Sequence, residues 1–220
     1  MNPPLTHVEV RVLGALLEKA ATTPEHYPLT LSALVAACNQ LSNREPVMQL
    51  DEEAVNTAVV TLRRRSLLRA IQPVGSRVTK YQHALNEALD LDARELALLG
   101  VLMLRGPQTA GELNTRTGRW AAFADIADVE QQLETLLMRD SGSLVTRLPR
   151  RPGQKEQRYA QLLGGEVADP DQEPRTPDRG ALPGERIVAG SASELEARVQ
   201  QLETELAALR AEFAAFRAQF

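Results

Sequence analysis

Arginine is the residue type whose spacing in this chain has the clearest chemical use. Arg63, Arg64 and Arg65 form an unbroken triplet, followed by Arg69, Arg77 and Lys80, and Arg147, Arg150, Arg151, Lys155 and Arg158 make a second cluster. A guanidinium presents a planar fork of donors that matches phosphate oxygens two at a time, so such clusters fit a nucleic-acid backbone. A solvated basic face uses the same residues and needs no ligand. Charge is spread against a wholesale nucleic-acid binder: residues 1–85 carry 9 Lys and Arg against 7 Asp and Glu, residues 86–163 carry 10 against 11, and residues 164–220 carry 6 against 11. None of these parts has the basic balance of a dedicated nucleic-acid domain, so contact with duplex DNA is expected to be local.

Other chemistries have thinner support. His7, His26 and His83 are scattered, with no pair at helical spacing and no cysteine cluster, so no metal site is expected. Gly75, Gly106, Gly111, Gly142 and Gly153 stand singly, which leaves no glycine-rich phosphate loop. Glu45, between Arg44 and Pro46, reads as half of a local ion pair in a capped loop rather than as a catalytic carboxylate. Cys38 is the only cysteine and follows Leu34-Val35-Ala36-Ala37, a setting that predicts a buried core thiol and no disulfide. The expectation is a non-enzymatic protein without metal or cofactor. No stretch approaches the roughly 20 apolar residues of a membrane span, so a cytoplasmic location without a membrane partner is expected.

The elements that must carry the arginines follow from caps and periodicity. Thr6-His7-Val8-Glu9 has capping-box spacing, and Val8, Val12, Ala15, Leu16 and Leu17 give an amphipathic helix over 6–21 that Thr22-Thr23-Pro24 ends. Thr30 opens a short helix through Cys38, and Asp51 caps a third whose inner face is Val55, Ala58, Val59 and Leu62. Leu67 to Gln72 and Arg77 to Gln82 then read as a hairpin around Pro73-Val74-Gly75-Ser76. The same order returns about 87 residues later: a helix capped by Asp92, a short one capped by Thr109, a third from Asp125, and strands over 144–148 and 157–162. The repeat is in element order rather than in literal sequence.

Helix, helix, helix and hairpin is the order of a winged helix. The fold class expected is therefore mainly α with small β-hairpin wings (α+β): two tandem winged-helix domains, residues 1–85 and 86–163, then a Pro, Gly and charge-rich linker over 164–190 and a coiled-coil helix over 191–220. Leu195, Val199, Leu202, Leu206, Leu209, Phe213, Phe216 and Phe220 alternate spacings of 4 and 3, an unbroken heptad seam. It predicts a homodimer or higher oligomer through residues 191–220, with docking of this helix back on its own domain as the alternative.

Three segments also carry a resemblance: Asn43-Arg44-Glu45-Pro46-Val47-Met48, Gly106-Pro107-Gln108-Thr109-Ala110-Gly111-Glu112-Leu113, and Leu148 through Glu156. Together, over Leu5 to Leu163, they resemble the YceH-like family of uncharacterised bacterial proteins, which implies tandem winged helices and no established ligand. Trp120 and Phe123-Ala124-Asp125 fall where that family tends to have an aromatic-containing loop.

The function expected from the residues is DNA binding by a regulator-like or architectural protein, with an interaction module for an unknown protein partner as the alternative. One feature weighs against ordinary groove reading. Asp51-Glu52-Glu53 open one presumed recognition helix, and Asp125 and Asp128, with Glu130 behind, open the other. Carboxylates suit a helix N-terminus, yet that end faces the duplex in helix-turn-helix docking. Asn56, Thr57 and Thr61 remain as base-reading candidates.

Overall fold

Thr6 starts the first helix because its hydroxyl accepts from the Glu9 amide while its own amide donates to Glu9 Oε2 at 2.7 Å, satisfying two donors that the helix leaves unpaired. The structure, a computed structural model, describes residues 3–73, 75, 77–150 and 156–165. Arg151, Lys155, the linker beyond Gly165 and the heptad seam lie outside the described residues.

The first half runs α1 (His7–Thr22), a 3-10 turn (Pro24–His26), α2 (Leu31–Cys38), α3 (Glu52–Arg64), β1 (Leu68–Ile71) and β2 (Lys80–His83). A five-residue helix, α4 (Leu85–Leu89), leads to α5 (Ala93–Arg105), α6 (Ala110–Thr117), α7 (Ile126–Leu137), β3 (Val145–Arg147) and β4 (Tyr159–Gln161). The described residues are thus mainly helical with two antiparallel two-stranded hairpins, in the predicted order. Thr30, Asp51, Asp92, Thr109 and Asp125 each cap the helix expected of them with a side-chain oxygen. The sequence did not announce α4, and the second strand begins at Lys80 rather than Arg77.

Each hairpin gains one further bridge that sequence periodicity could not show. Leu29 pairs with Tyr81, and Gln108 pairs with Tyr159, through reciprocal backbone bonds of 2.7 to 3.1 Å. Leu29 and Gln108 immediately precede the cap threonines of α2 and α6. In both halves the entry to the second helix is therefore pinned to the hairpin.

Packing departs most from the simple amphipathic picture at α1 and α5. Residues 9–18 of α1 are all buried, as are Glu95 and residues 97–104 of α5, so each helix is covered on every side. The two pack on one another through glycines. Gly14 and Gly100 are each the eighth residue of their helix, each one follows Leu, and each lies five residues after the capping-box glutamate. A Cβ on Gly14 would sit 2.9 Å from Leu104 Cγ and 3.0 Å from Met103 Cβ, while one on Gly100 would meet Trp120 at 2.3 Å and Leu17 at 3.3 Å. The repeat is thus literal where the two helices cross. One continuous core results, from Leu13, Leu34 and Leu62 in the first half to Leu102, Leu113 and Leu133 in the second, each such leucine stabilising by about 1.5–3 kcal/mol relative to exposure.

Candidate functional site

The basic triplet sits where α3 ends. Arg63 and Arg64 occupy its last turn, where the partial negative charge of the helix C-terminus favours cations, and both are exposed. Arg65 is the half-buried cap residue; its Nε is buried without a hydrogen-bond partner among the described residues. Strand β1 passes beside this turn, and Val60, Arg63, Arg64, Arg69, Ile71 and Gln82 line an open groove of about 590 Å³ between helix and hairpin. Arg69 pairs through both guanidinium nitrogens with Glu87 on α4, an exposed contact that raises the arginine's pKa chiefly through hydrogen bonding. Arg77 is exposed in the hairpin loop and Lys80 is half-buried on β2 opposite Ile71. Arg63, Arg64 and Arg77 have no ion pair among the described residues.

The second cluster is differently disposed. Arg147 is paired with Glu134 on α7 and lies 5.7 Å over the Tyr159 ring. Arg158 donates to the Pro107 carbonyl at 3.0 Å and approaches Glu112 at 3.7 Å. Arg150 is exposed beyond β3. Two of the cations predicted for this wing are therefore already matched to carboxylates of their own half.

Acid at the two helix N-termini has also been put to use. Asp51 Oδ1 accepts from the Ala54 amide at 2.8 Å, while Glu52 and Glu53 remain exposed. At α7, Asp125 caps Asp128, and the Asp128 carboxylate is held by Arg94 and the Ala124 amide, which lower its pKa. Arg94 also stacks 4.7 Å over Phe123, so the aromatic loop is tied to the start of α5. Asn56 and Thr57 are exposed on α3 and Thr61 is half-buried.

The Asn43-Arg44-Glu45-Pro46 segment is a clasp. Arg44 is fully buried and donates to both carboxylate oxygens of Glu18 at 2.5 and 3.2 Å, and twice more to the Ala37 carbonyl at 2.8 and 3.2 Å. Its partner is thus Glu18 on α1, and not the adjacent Glu45, which is exposed. Arg11 donates to the Cys38 carbonyl at 3.1 Å and the Pro46 carbonyl at 2.6 Å. Asn43 accepts from Arg105, and the Glu45 amide donates to the Leu104 carbonyl at 2.8 Å, tying the loop to α5. The second motif segment is structural too: Gly106 adopts φ +70°, Pro107 supplies the carbonyl that Arg158 binds, buried Gln108 bridges to Tyr159, and Thr109 caps α6.

Cys38 is fully buried, and desolvation pushes its thiol up to about 12 despite Arg11 and Arg44 nearby. His83 is lowered by burial, while His7 and His26 are exposed. Among the described residues no three His, Cys, Asp or Glu side chains are grouped to hold a metal, and no helix is long and apolar enough to cross a membrane.

Comparison with known proteins places these features in a wider set. Residues 5–154 match the family model described as a protein of unknown function, DUF480. A UPF0502 protein of Geotalea daltonii is 50% identical over 189 residues, covering 86% of this chain and 84% of its own length. One of Geobacter metallireducens is 47% identical over 201 residues, covering 91% and 89%, and one of Vibrio cholerae is 50% identical over 171, covering 76% and 79%. The match spans the clasp and the Gly106–Thr109 turn, in keeping with the resemblance drawn from those motifs.

Proposed function

For this chain, which belongs to the DUF480 family, we propose that the described residues form two tandem winged helices and that the first binds duplex DNA through phosphate contacts. The surface assigned to that contact is the C-terminal end of α3 with its hairpin: Arg63, Arg64, Arg77 and Lys80, ahead of Arg69, which Glu87 already matches. What carries the reading is the groove between α3 and β1, lined by Arg63 and Arg64, which have no ion pair among the described residues, and by Arg69, whose charge Glu87 already matches. The repeated element order, with a strand bridge ahead of each second helix, supports the winged-helix part.

The acidic first turn of α3 changes the mode of contact rather than forbidding it. At about 1.5 Å per residue, Glu53 lies about 15 Å along the helix from Arg63, beyond the Debye length of about 8 Å at physiological salt. Repulsion at one end therefore does not cancel attraction at the other. Backbone contact positions a protein without reading bases, so an architectural or weakly sequence-dependent role fits better than insertion of the helix N-terminus. In the second half, Arg150, Arg151 and Lys155 are assigned to the duplex ahead of the carboxylate-matched Arg147 and Arg158. The role is cytoplasmic and requires neither cofactor, metal nor catalytic step.

The test is fluorescence anisotropy of a generic duplex of about 30 base pairs titrated with the full chain at two salt concentrations; phosphate neutralisation gives binding that weakens steeply with salt. Absence of binding at low salt contradicts the proposal. A protein partner is the second reading, favoured by Leu41 at 82% and Val47 at 49% exposure in the same α2–α3 loop.

The heptad seam from Leu195 to Phe220 is assigned to self-association, which would double the DNA footprint. Deleting residues 191–220 is expected to convert a dimer or higher oligomer to monomer in sedimentation. A truncated chain that keeps its oligomeric state places the interface elsewhere.

A further inference from the structure

A second cleft, of about 390 Å³, lies where α1, α5 and α6 end. Its lining includes Lys19, Arg105, Arg116 and Arg119, together with Glu18 and Trp120. Each of the first three cations stands in the last turn of its helix, a position the helix dipole favours. Three helix ends meeting at one place bring those charges together in a volume within the ordinary range of small-molecule sites, about 300–1,000 Å³.

Anionic compensation inside the cleft is sparse. Glu18, the only lining carboxylate among the described residues, is engaged by buried Arg44 through both oxygens and reaches Lys19 at 3.6 Å. Lys19 otherwise donates to the neutral Gln40 amide oxygen at 3.1 Å, and Arg105 to the neutral Asn43. Arg116 approaches Glu112 at 3.6 Å, a carboxylate it shares with Arg158, and Arg119 has no ion pair or hydrogen bond among the described residues. Burial and then repulsion from Arg116 lower the pKa of Arg105, so the crowding of like charge is felt there. Trp120 closes one side, its ring seated on Gly100 where any side chain would collide.

We propose that this cleft binds a small organic phosphate, its charged group taken by Arg105, Arg116 and Arg119 and its body lying against Trp120. Guanidinium forks suit the phosphate's several oxygens, and a phosphate monoester carries about −1.5 to −2 at neutral pH, which offsets about half or more of the excess of four cations over one carboxylate. The inference does not rest on DNA binding and stands or falls separately.

Trp120 is the only tryptophan in the chain, so its fluorescence reports the cleft directly. The full chain is titrated at physiological salt with AMP, with inorganic phosphate and with adenosine. Saturable changes with AMP and with inorganic phosphate, AMP the tighter, are expected, with none from adenosine. Arg116→Ala with Arg119→Ala is expected to weaken AMP binding about tenfold or more, equivalent to about 1.4 kcal/mol, at an unchanged unfolding midpoint; Arg119→Ala alone, an exposed site, is the second variant should the pair unfold. No saturable change at millimolar AMP overturns the proposal, as does equal affinity in these variants. Displacement of AMP by a short duplex at equal phosphate concentration also overturns it, by giving the cleft to nucleic acid.

Discussion

Replacing Arg44 with alanine is expected to destabilise the fold by about 3–5 kcal/mol, the range for removing one partner of a buried ion pair. Arg44 is wholly buried and Glu18 nearly so, at 0% and 7% side-chain exposure. Alanine leaves the Glu18 carboxylate inside the protein with Lys19, 3.6 Å away, as its remaining ion-pair partner among the described residues. It also strips the Ala37 carbonyl of both its guanidinium donors. Chemical denaturation measures the loss, and the melting temperature falls by about 2–4 °C per kcal/mol for a chain of this size. The mechanism has its own check: Arg44→Met combined with Glu18→Met removes the stranded charge and recovers part of the loss. A loss below about 1 kcal/mol for Arg44→Ala would show that the clasp is not what holds α1, α2 and α5 together.

Gly14→Ala and Gly100→Ala are each expected to cost about 1–3 kcal/mol through overpacking, although the same exchange in an exposed helix gains up to about 1 kcal/mol. The added carbon at Gly14 meets Leu104 and Met103 at about 3 Å, and both are buried with little room to retreat. At Gly100 it meets the Trp120 ring at 2.3 Å, so the tryptophan must leave its seat and its fluorescence should change with the stability. Gly111 serves as the control within α6. There the nearest atom to an added Cβ is 3.8 Å away, and alanine is expected to be neutral or stabilising in the same melts. Stabilisation at Gly14 or Gly100 would mean that α1 and α5 do not cross where they are described.

These two tests fall on the parts of the fold that the sequence left hidden. Helix starts were legible because a cap is a local event: Thr6, Thr30, Asp51, Asp92, Thr109 and Asp125 each satisfy the amide three residues on, within one turn of the chain. The contact of α1 with α5 is not local. Val12, Leu16 and their neighbours read as the apolar face of an amphipathic helix, whereas Glu9, Arg11 and Glu18 are buried along with them. The charges survive burial because Glu9 closes its own capping box, Arg11 finds two carbonyls and Glu18 finds Arg44. A comparison of the two helices position by position, with Glu9 against Glu95 and Gly14 against Gly100, was the available signal.

The arginine clusters show the same limit from the functional side. Composition identifies Arg147 and Arg158 as cations of a wing, but Glu134 and Glu112, which meet them, are on different elements and far away in sequence. Arg63 and Arg64 kept the exposure that the sequence assigned to them, since the last turn of a surface helix holds cations with or without a ligand. The cleft lined by Lys19, Arg105, Arg116 and Arg119 was invisible as a unit, because these cations stand at or just beyond the ends of α1, α5 and α6, which only helix packing brings together.

The most direct test of the central claim compares salt dependence of duplex binding in the wild-type chain, in Arg63→Ala with Arg64→Ala, and in Arg147→Ala. Each phosphate contact contributes about 0.9 to the slope of log affinity against log salt. The Arg63 and Arg64 double variant is expected to bind at least about tenfold more weakly at low salt and to lose up to about 1.8 from that slope, while Arg147→Ala, whose charge is matched by Glu134, stays close to wild type. Unchanged slope and affinity in the double variant would contradict the assignment of the end of α3 as the phosphate-binding surface.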